Sequence, residues 1–136
     1  MRILIDANII ISALIKNSKA RGILTKKKFE FISPDFILEE INKYKEYICE
    51  KSGLSKEEFE LLMVLIFDNI KIIPKKEYEN YLDKAKEIME EDIKDITYVA
   101  CYLALNCDYL WTNDSDFDNK KEIKIIDIAK LLEYNV

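Results

Sequence analysis

A chain of 136 residues that is 49% hydrophobic and 35% charged, with two glycines and two prolines, reads as one compact, helix-rich domain over 1–136 without linkers or low-complexity tracts. Its formal charge of −5 turns the surface as a whole against nucleic acid, so binding there would need local basic patches or bound cations. The absence of histidine excludes His-based triads, His–His acid/base pairs and His-containing zinc sites, and leaves carboxylates for catalysis.

The first stretch, MRILIDANIIISALI, is apolar, but Asp6 and Asn8 interrupt it and no small-residue cleavage site follows. A signal peptide and a membrane span are therefore not expected, and the cytosol is. RILI (2–5) has the form of a buried strand, and NIIISALIKN with ARGILTKK supplies one or two helices before a second strand, FEFIS (29–33). After SPD, the residues Ile37, Ile41, Tyr44 and Ile48 recur at helical spacing, and this helix is expected to stop near Gly53. SKEE (55–58) has the form of a capping box that opens a helix with Phe59, Leu62, Met63 and Ile66 on one face. IKIIP (70–74) is a third strand, and Tyr78, Tyr81, Leu82, Ala85, Ile88 and Met89 mark a further helix. DITYVACYLALN (95–106) is the most apolar helix and is expected to pack directly on the sheet, with YLWT (109–112) and IKIID (123–127) as the last strands. Alternating strands and helices predict an α/β domain whose five-stranded sheet is mainly parallel. Cys49, Cys101 and Cys107 are odd in number and lack a paired spacing, which suits free, inert thiols in a reducing compartment.

In open α/β sheets, ligands gather outside the carboxyl ends of the strands. Asp6 follows the first strand directly, where an aspartate serves either as a helix cap or as a site residue. Asn8, two residues on, has the same two roles open. On the third helical segment, Glu40 lies about 70° from the centre of the apolar stripe, at roughly 100° per residue, and can reach inward, whereas Glu39 should be solvated. Asp92 is placed to cap the apolar helix, and Asp95 sits in its first turn, where capping and catalysis are both open. Asp114 lies just past the fourth strand, with Thr112 before it and Asp116 after it, while Asp118 is expected to be solvated. Four distant segments thus bring an acid to one rim. Two bare carboxylates ~4 Å apart repel by about 4 kcal/mol at an effective dielectric near 20, so four need protons or cations. All-oxygen ligation without Cys or His favours Mg²⁺ or Mn²⁺.

ILIDANIIISAL, LEEI, DIKDITYVACYLAL and LWTNDSDF, in this order and at these separations, resemble the motifs of the PIN-domain ribonucleases, which include the toxins of toxin–antitoxin pairs. The resemblance covers nearly the whole chain, and it is the ordered set of four that is specific, since each motif alone is weak. It implies a three-layer α/β fold around a parallel sheet and an acidic pocket for Mg²⁺ or Mn²⁺. Carried over position by position, the four acids of the family fall on Asp6, Glu40, Asp95 and Asp114. Asn8 matches the polar residue after the first acid, Thr112 the hydroxyl residue before the fourth, and Asp116 a frequent extra acid. Where the family often has a proline two residues after its third acid, Thr97 stands here, so Asp92 competes with Asp95 as the third ligand. The implied chemistry is metal-assisted phosphodiester hydrolysis, with one or two ions on Asp6, Asp95 and Asp114 and Glu40 helping to hold a metal or its water. An RNA substrate, an antitoxin partner and a homodimer belong to the same expectation.

Other readings compete with this one. A HAD-type phosphatase needs a second aspartate where Asn8 stands, and a response-regulator receiver needs paired acids after its first strand; the acids here are arranged otherwise. A catalytically silent PIN-like scaffold that binds RNA or protein has no reason to keep so repulsive a group of acids. An RNA-processing nuclease that is not a toxin stays open beside the toxin reading. The runs KNSKAR (16–21), TKKK (25–28) and PKK (74–76), together with Lys94, are basic and serve either as a solvated face or as phosphate contacts.

Overall fold

A computed structural model describes residues 1–16, 18–89 and 92–134. Asn17 of the first basic run, and Glu90 and Glu91 ahead of Asp92, lie outside the described residues. Five strands, β1 (Arg2–Ile5), β2 (Glu30–Pro34), β3 (Ile70–Ile73), β4 (Tyr109–Trp111) and β5 (Ile125–Ile126), form one sheet in the order β3-β2-β1-β4-β5. Every ladder is parallel. This is the arrangement expected of strands written as continuous apolar runs, since a parallel sheet is covered on both faces. Ile3, Leu4 and Ile5 on the central strand are fully buried.

The chain builds outward from β1 to β2 and β3, then returns to the other side of β1 to lay down β4 and β5. The reversal makes a crevice between the carboxyl ends of β1 and β4, the place where ligands collect in such sheets. Register sets its width: Ile5 pairs with Trp111, and the Asp6 N–H donates to the Trp111 carbonyl at 3.2 Å. Residues 6 and 112–114, more than a hundred positions apart in sequence, are therefore neighbours.

Helices flank the sheet: α1 (Ala7–Ile15), α2 (Ser18–Thr25), α3 (Phe36–Lys43), α4 (Lys45–Ser52), α5 (Lys56–Phe67), α6 (Leu82–Met89), α7 (Ile93–Ala104) and α8 (Ile128–Glu133). The capping box forms as its sequence predicts, with Ser55 Oγ accepting from the Glu58 N–H at 3.1 Å and Glu58 Oε1 accepting from the Ser55 N–H at 3.0 Å. Gly53 ends α4 at φ 78°, a left-handed position that glycine takes without steric cost. The helix α7 buries eight consecutive residues, Asp95 to Tyr102, and packs against β2 and β1. Trp111, Tyr98, Phe31 and Phe117 are the bulkiest of the fully buried side chains, and the rings of Phe31 and Trp111 lie 6.1 Å apart. Cys101 and Cys107 are buried and free, and Cys49 is free and half-buried.

Three elements differ from the sequence expectation. The single helix expected from Ile37 to near Gly53 is two, because the chain bends at Tyr44 (φ −101°, ψ 11°), whose N–H donates to the Ile41 carbonyl. Ile37, Ile41 and Ile48 stay buried, but Tyr44 leaves the stripe and is 40% exposed. The segment marked by Tyr78 and Tyr81 begins as two 3₁₀ turns, 75–77 and 79–81, before α6. The helix α8, capped by Asp127 accepting from the Lys130 N–H, was not predicted; six residues are too few to display a helical period. Among the described residues, no helix is long and apolar enough to cross a membrane.

Candidate active site

Asp6 ends β1 and occupies the position before α1, yet its carboxylate makes no capping hydrogen bond to that helix. It turns toward β4 instead, where Thr112 Oγ1 donates to Asp6 Oδ2 at 2.6 Å. Asp6 is only 1% exposed, and Oδ1 is buried without a hydrogen-bond partner among the described residues. A buried polar atom left unsatisfied is costly and rare, and it marks a place where a ligand or cation belongs. Burial pushes the Asp6 carboxyl up, against the pull of the Thr112 hydroxyl and the Lys94 charge.

The Thr112 hydroxyl also accepts from the Asp114 N–H at 3.0 Å, so a single oxygen ties the end of β1 to the turn after β4. Asp114 Oδ1 in turn accepts from the Asp116 N–H at 2.9 Å, which opens the short 3₁₀ turn 115–117. Asp114 is half-buried, and Asp116 and Asp118 are exposed.

From α7 come Asp92 and Asp95. Asp92 caps the helix, accepting from the Lys94 N–H at 2.9 Å. Asp95 is 3% exposed and lies with Asp92 and Asp116 in a group whose carboxylate oxygens fall within 4.8 Å of one another. Burial first, then the charges of Asp92, Asp114 and Asp116, push the Asp95 carboxyl from 3.8 up to about 7. Both acids that competed in the sequence thus stand in the same cluster, and Asp92 fills its cap role while doing so.

Glu40 of α3 is buried, and Glu39 is exposed, as the helical angle predicts. Both oxygens of Glu40 are engaged: the Tyr98 hydroxyl donates to Oε1 at 2.8 Å, and Lys94 Nζ lies 3.2 Å from Oε2. Burial opposes the Lys94 charge, but Glu40 and Asp6 outweigh it and hold the ammonium above its usual range. Tyr98 was missed from the sequence. Its one available signal is spacing, since a residue three after Asp95 shares its side of a helix and carries the one phenol of that turn. Lys94, Glu40 and Tyr44 line both of two hollows of about 340 and 370 Å³, the first also lined by the exposed Asn8. A further cavity of about 610 Å³ opens on the other side of Ile93, between Asp35, Tyr78, Lys75 and Lys86.

The structure therefore brings Asp95 together with Asp92 and Asp116, and Asp6 together with Thr112 and the Glu40–Lys94 pair, with Asp114 linking the two through Thr112 and Asp116. The sequence profile described as PIN domain matches residues 4–125. The chain belongs to the PIN-domain family. Among solved structures, this PIN domain is similar to VapBC2 from Rickettsia felis bound to a DNA fragment from their promoter, at a TM-score of 0.70 and 18% identity, over 93% of this chain and 98% of that one. It is also similar to a toxin–antitoxin complex from Klebsiella pneumoniae, at a TM-score of 0.65 and 17% identity, over 88% and 93% of the two chains. At such identities the likeness is one of fold. A comparison with curated proteins finds no match.

The donor set of this PIN domain fits a hard divalent cation. All candidate ligands are carboxylate oxygens, three of them converge within 4.8 Å, and Asp6 offers a buried oxygen that no hydrogen bond among the described residues satisfies.

Proposed function

We propose that this PIN domain, folded as one unit over the chain and acting in the cytosol, is a metal-dependent ribonuclease that hydrolyses RNA phosphodiester bonds. The observation that carries the reading is Asp95, a carboxylate held at 3% exposure in a cluster with Asp92 and Asp116. A fold has no use for such repulsion, and a divalent ion relieves it. The ion would be Mg²⁺ or Mn²⁺, and Asp95 with Asp92 and Asp116, and Asp6 and Asp114 beside them, are the residues that would hold it. Once bound, such an ion supplies Lewis-acid stabilisation of phosphate charge and makes water more acidic.

The chain's own residues do the rest. Thr112 holds the Asp6 carboxylate and the Asp114 backbone at a fixed separation through one hydroxyl. Tyr98 orients Glu40 from inside the core, and Glu40 orients Lys94. Lys94 then presents a positive charge to the hollows beside the acids, where an anionic phosphate backbone would lie. The exposed lysines at 75 and 76, just past the carboxyl end of β3, extend that attraction, whereas those at 26–28 lie at the amino end of β2, so RNA affinity should fall steeply with salt through the former.

We further infer that the nuclease is the toxin of a toxin–antitoxin pair, with an antitoxin protein as its partner and a second copy of itself as another. The support is the shared fold with the two toxin–antitoxin assemblies over about nine-tenths of the chain. An adjacent small gene whose product binds and silences the protein, and a dimer by light scattering, are the expected findings.

The deciding experiment is cleavage of a mixed RNA pool by the purified protein with Mn²⁺ or Mg²⁺, beside EDTA and Asp95→Asn controls. Cleavage that requires metal and is lost in the variant is the expected result. Clean, folded protein that binds metal and cuts nothing would replace the nuclease with a silent RNA- or protein-binding scaffold.

A further inference from the structure

Two tyrosines beside the acidic rim face outward. Tyr44 recurs at helical spacing with the buried Ile37, Ile41 and Ile48, yet the bend between α3 and α4 turns it out to 40% exposure. Tyr47, three residues on, is 51% exposed. Neither hydroxyl makes a hydrogen bond among the described residues, whereas those of Tyr78, Tyr98 and Tyr102 each have a partner. The backbone beneath the rings is fixed. The Tyr44 N–H donates to the Ile41 carbonyl at 3.1 Å, the Tyr44 carbonyl accepts from the Ile48 N–H at 2.9 Å, and Ile48 is fully buried.

Both rings border the site. Tyr44 lines the two hollows that meet Lys94 and Glu40, and the second of these also reaches Lys43 and Asp92 of the acidic cluster. Tyr47 lines the first hollow. A polymer leaving the acids along these hollows meets Tyr44 first and Tyr47 second. Each ring has a cation beside it: Lys43 Nζ lies 5.8 Å from the Tyr44 ring centre, and Lys51 Nζ 5.9 Å from that of Tyr47. Among the described residues neither lysine is in an ion pair. At roughly 100° per residue, Lys51 falls about 40° from Tyr47 on α4, while Glu46 and Glu50 fall on its other flank. In a chain of net charge −5 this is a local basic patch interleaved with aromatic faces. Its occupant is a polyanion that carries flat apolar units, and an RNA strand is both.

We propose that Tyr44 and Tyr47 form a base-stacking subsite for the nucleotides next to the scissile phosphate. Tyr44 takes the nucleobase nearer the acids and Tyr47 the one beyond, with Lys43 and Lys51 toward the phosphates. The proposal rests on the ribonuclease reading above and names residues that position its substrate. Every base has a π face, so the subsite grips unstacked bases without selecting a sequence.

The test is fluorescence anisotropy of the full-length protein with a labelled oligoribonucleotide of mixed sequence, beside an abasic oligoribonucleotide of the same length. Ca²⁺ replaces Mg²⁺ or Mn²⁺, and a gel verifies that the strands stay intact. Tyr44→Ala and Tyr47→Ala should each weaken binding of the base-bearing strand about tenfold and leave the abasic strand's affinity unchanged. Tyr44→Phe and Tyr47→Phe keep the ring and should bind as the wild type does. Circular dichroism verifies that each variant is folded. Alanine variants that bind the base-bearing strand as tightly as the wild type, or that weaken both strands equally, would overturn the subsite while the ribonuclease reading stands, and the rings would then suit a protein partner. Phenylalanine variants as weak as the alanine ones would assign the effect to the hydroxyls and overturn stacking. Wild-type protein that binds neither strand would overturn RNA as the ligand, and the subsite with it.

Discussion

Replacing Asp95 by asparagine should stabilise the metal-free protein, and by an amount that depends on pH. Unfolded, Asp95 loses its proton near 3.8; folded, burial and the neighbouring acids hold that proton until about pH 7. Between those values the native state binds more protons than the unfolded one, so stability falls as pH rises across about 4 to 7 and the penalty is complete above about 7. At about 1.36 kcal/mol per pH unit the gap corresponds to about 4 kcal/mol. Counter-ions gathering at the neighbouring exposed acids reduce the expected figure to about 2–3 kcal/mol, still a large share of a small domain's stability. Asparagine never ionises, and its amide can donate to Asp116 as the protonated carboxyl does. Urea unfolding of both proteins in EDTA, at about pH 5 and about pH 8, measures the effect. The stability difference between variant and wild type should be far larger at the higher pH. Adding Mn²⁺ should stabilise the wild type and leave Asp95→Asn unmoved, because only the former gains a ligand that binds the native state. A variant no more stable than wild type at about pH 8, or a difference equal at both pH values, would refute the account of Asp95 as a carboxylate held against its own charge.

Two further outcomes concern the supports of the site. Tyr98→Phe removes the donor to Glu40 Oε1 and leaves a buried charged oxygen short of a partner, which should cost about 2 kcal/mol in urea unfolding; a change indistinguishable from zero would mean that Lys94 alone holds Glu40. Ser55→Ala deletes the capping box of α5 and should cost about 1 kcal/mol, with Ser55→Gly costing only a few tenths. Thermal melts compare the two, and an alanine variant as stable as the glycine one would assign the stability to the backbone and not to the hydroxyl.

Much of the fold was legible because its signals are local. Strands buried on both faces are written as unbroken apolar runs, and all five candidates sit in the sheet within two residues of their expected positions. The capping box and the stop at Gly53 were readable for the same reason, since each depends on residues within one turn. The bend at Tyr44 was not, because an aromatic residue at helical spacing fits the apolar stripe equally well whether or not the chain turns there. Glu40 inward and Glu39 outward followed from the angle between consecutive helical residues. Membership of the acidic cluster did not follow from any such angle. The family resemblance implies Asp6, Asp95 and Asp114 as ligands with Asp116 as an accessory, and the structure adds that one carboxylate oxygen each from Asp92, Asp95 and Asp116 lie within 4.8 Å of one another.

By itself, then, the amino-acid sequence determined which residues carry charge at strand ends, and hence that acids from four segments would meet at one rim. Which acid faces which was decided only when β4 came to lie beside β1 in a particular register, with Trp111 against Ile5. That pairing puts the Thr112 hydroxyl between Asp6 and Asp114, and the docking of α7 on the sheet turns Lys94 to Glu40 while Asp95 turns to Asp116. A linear pattern records on which side of its own element a residue lies. Only packing settles the distances between elements, and in a low-dielectric crevice the interaction of charges changes steeply with those distances.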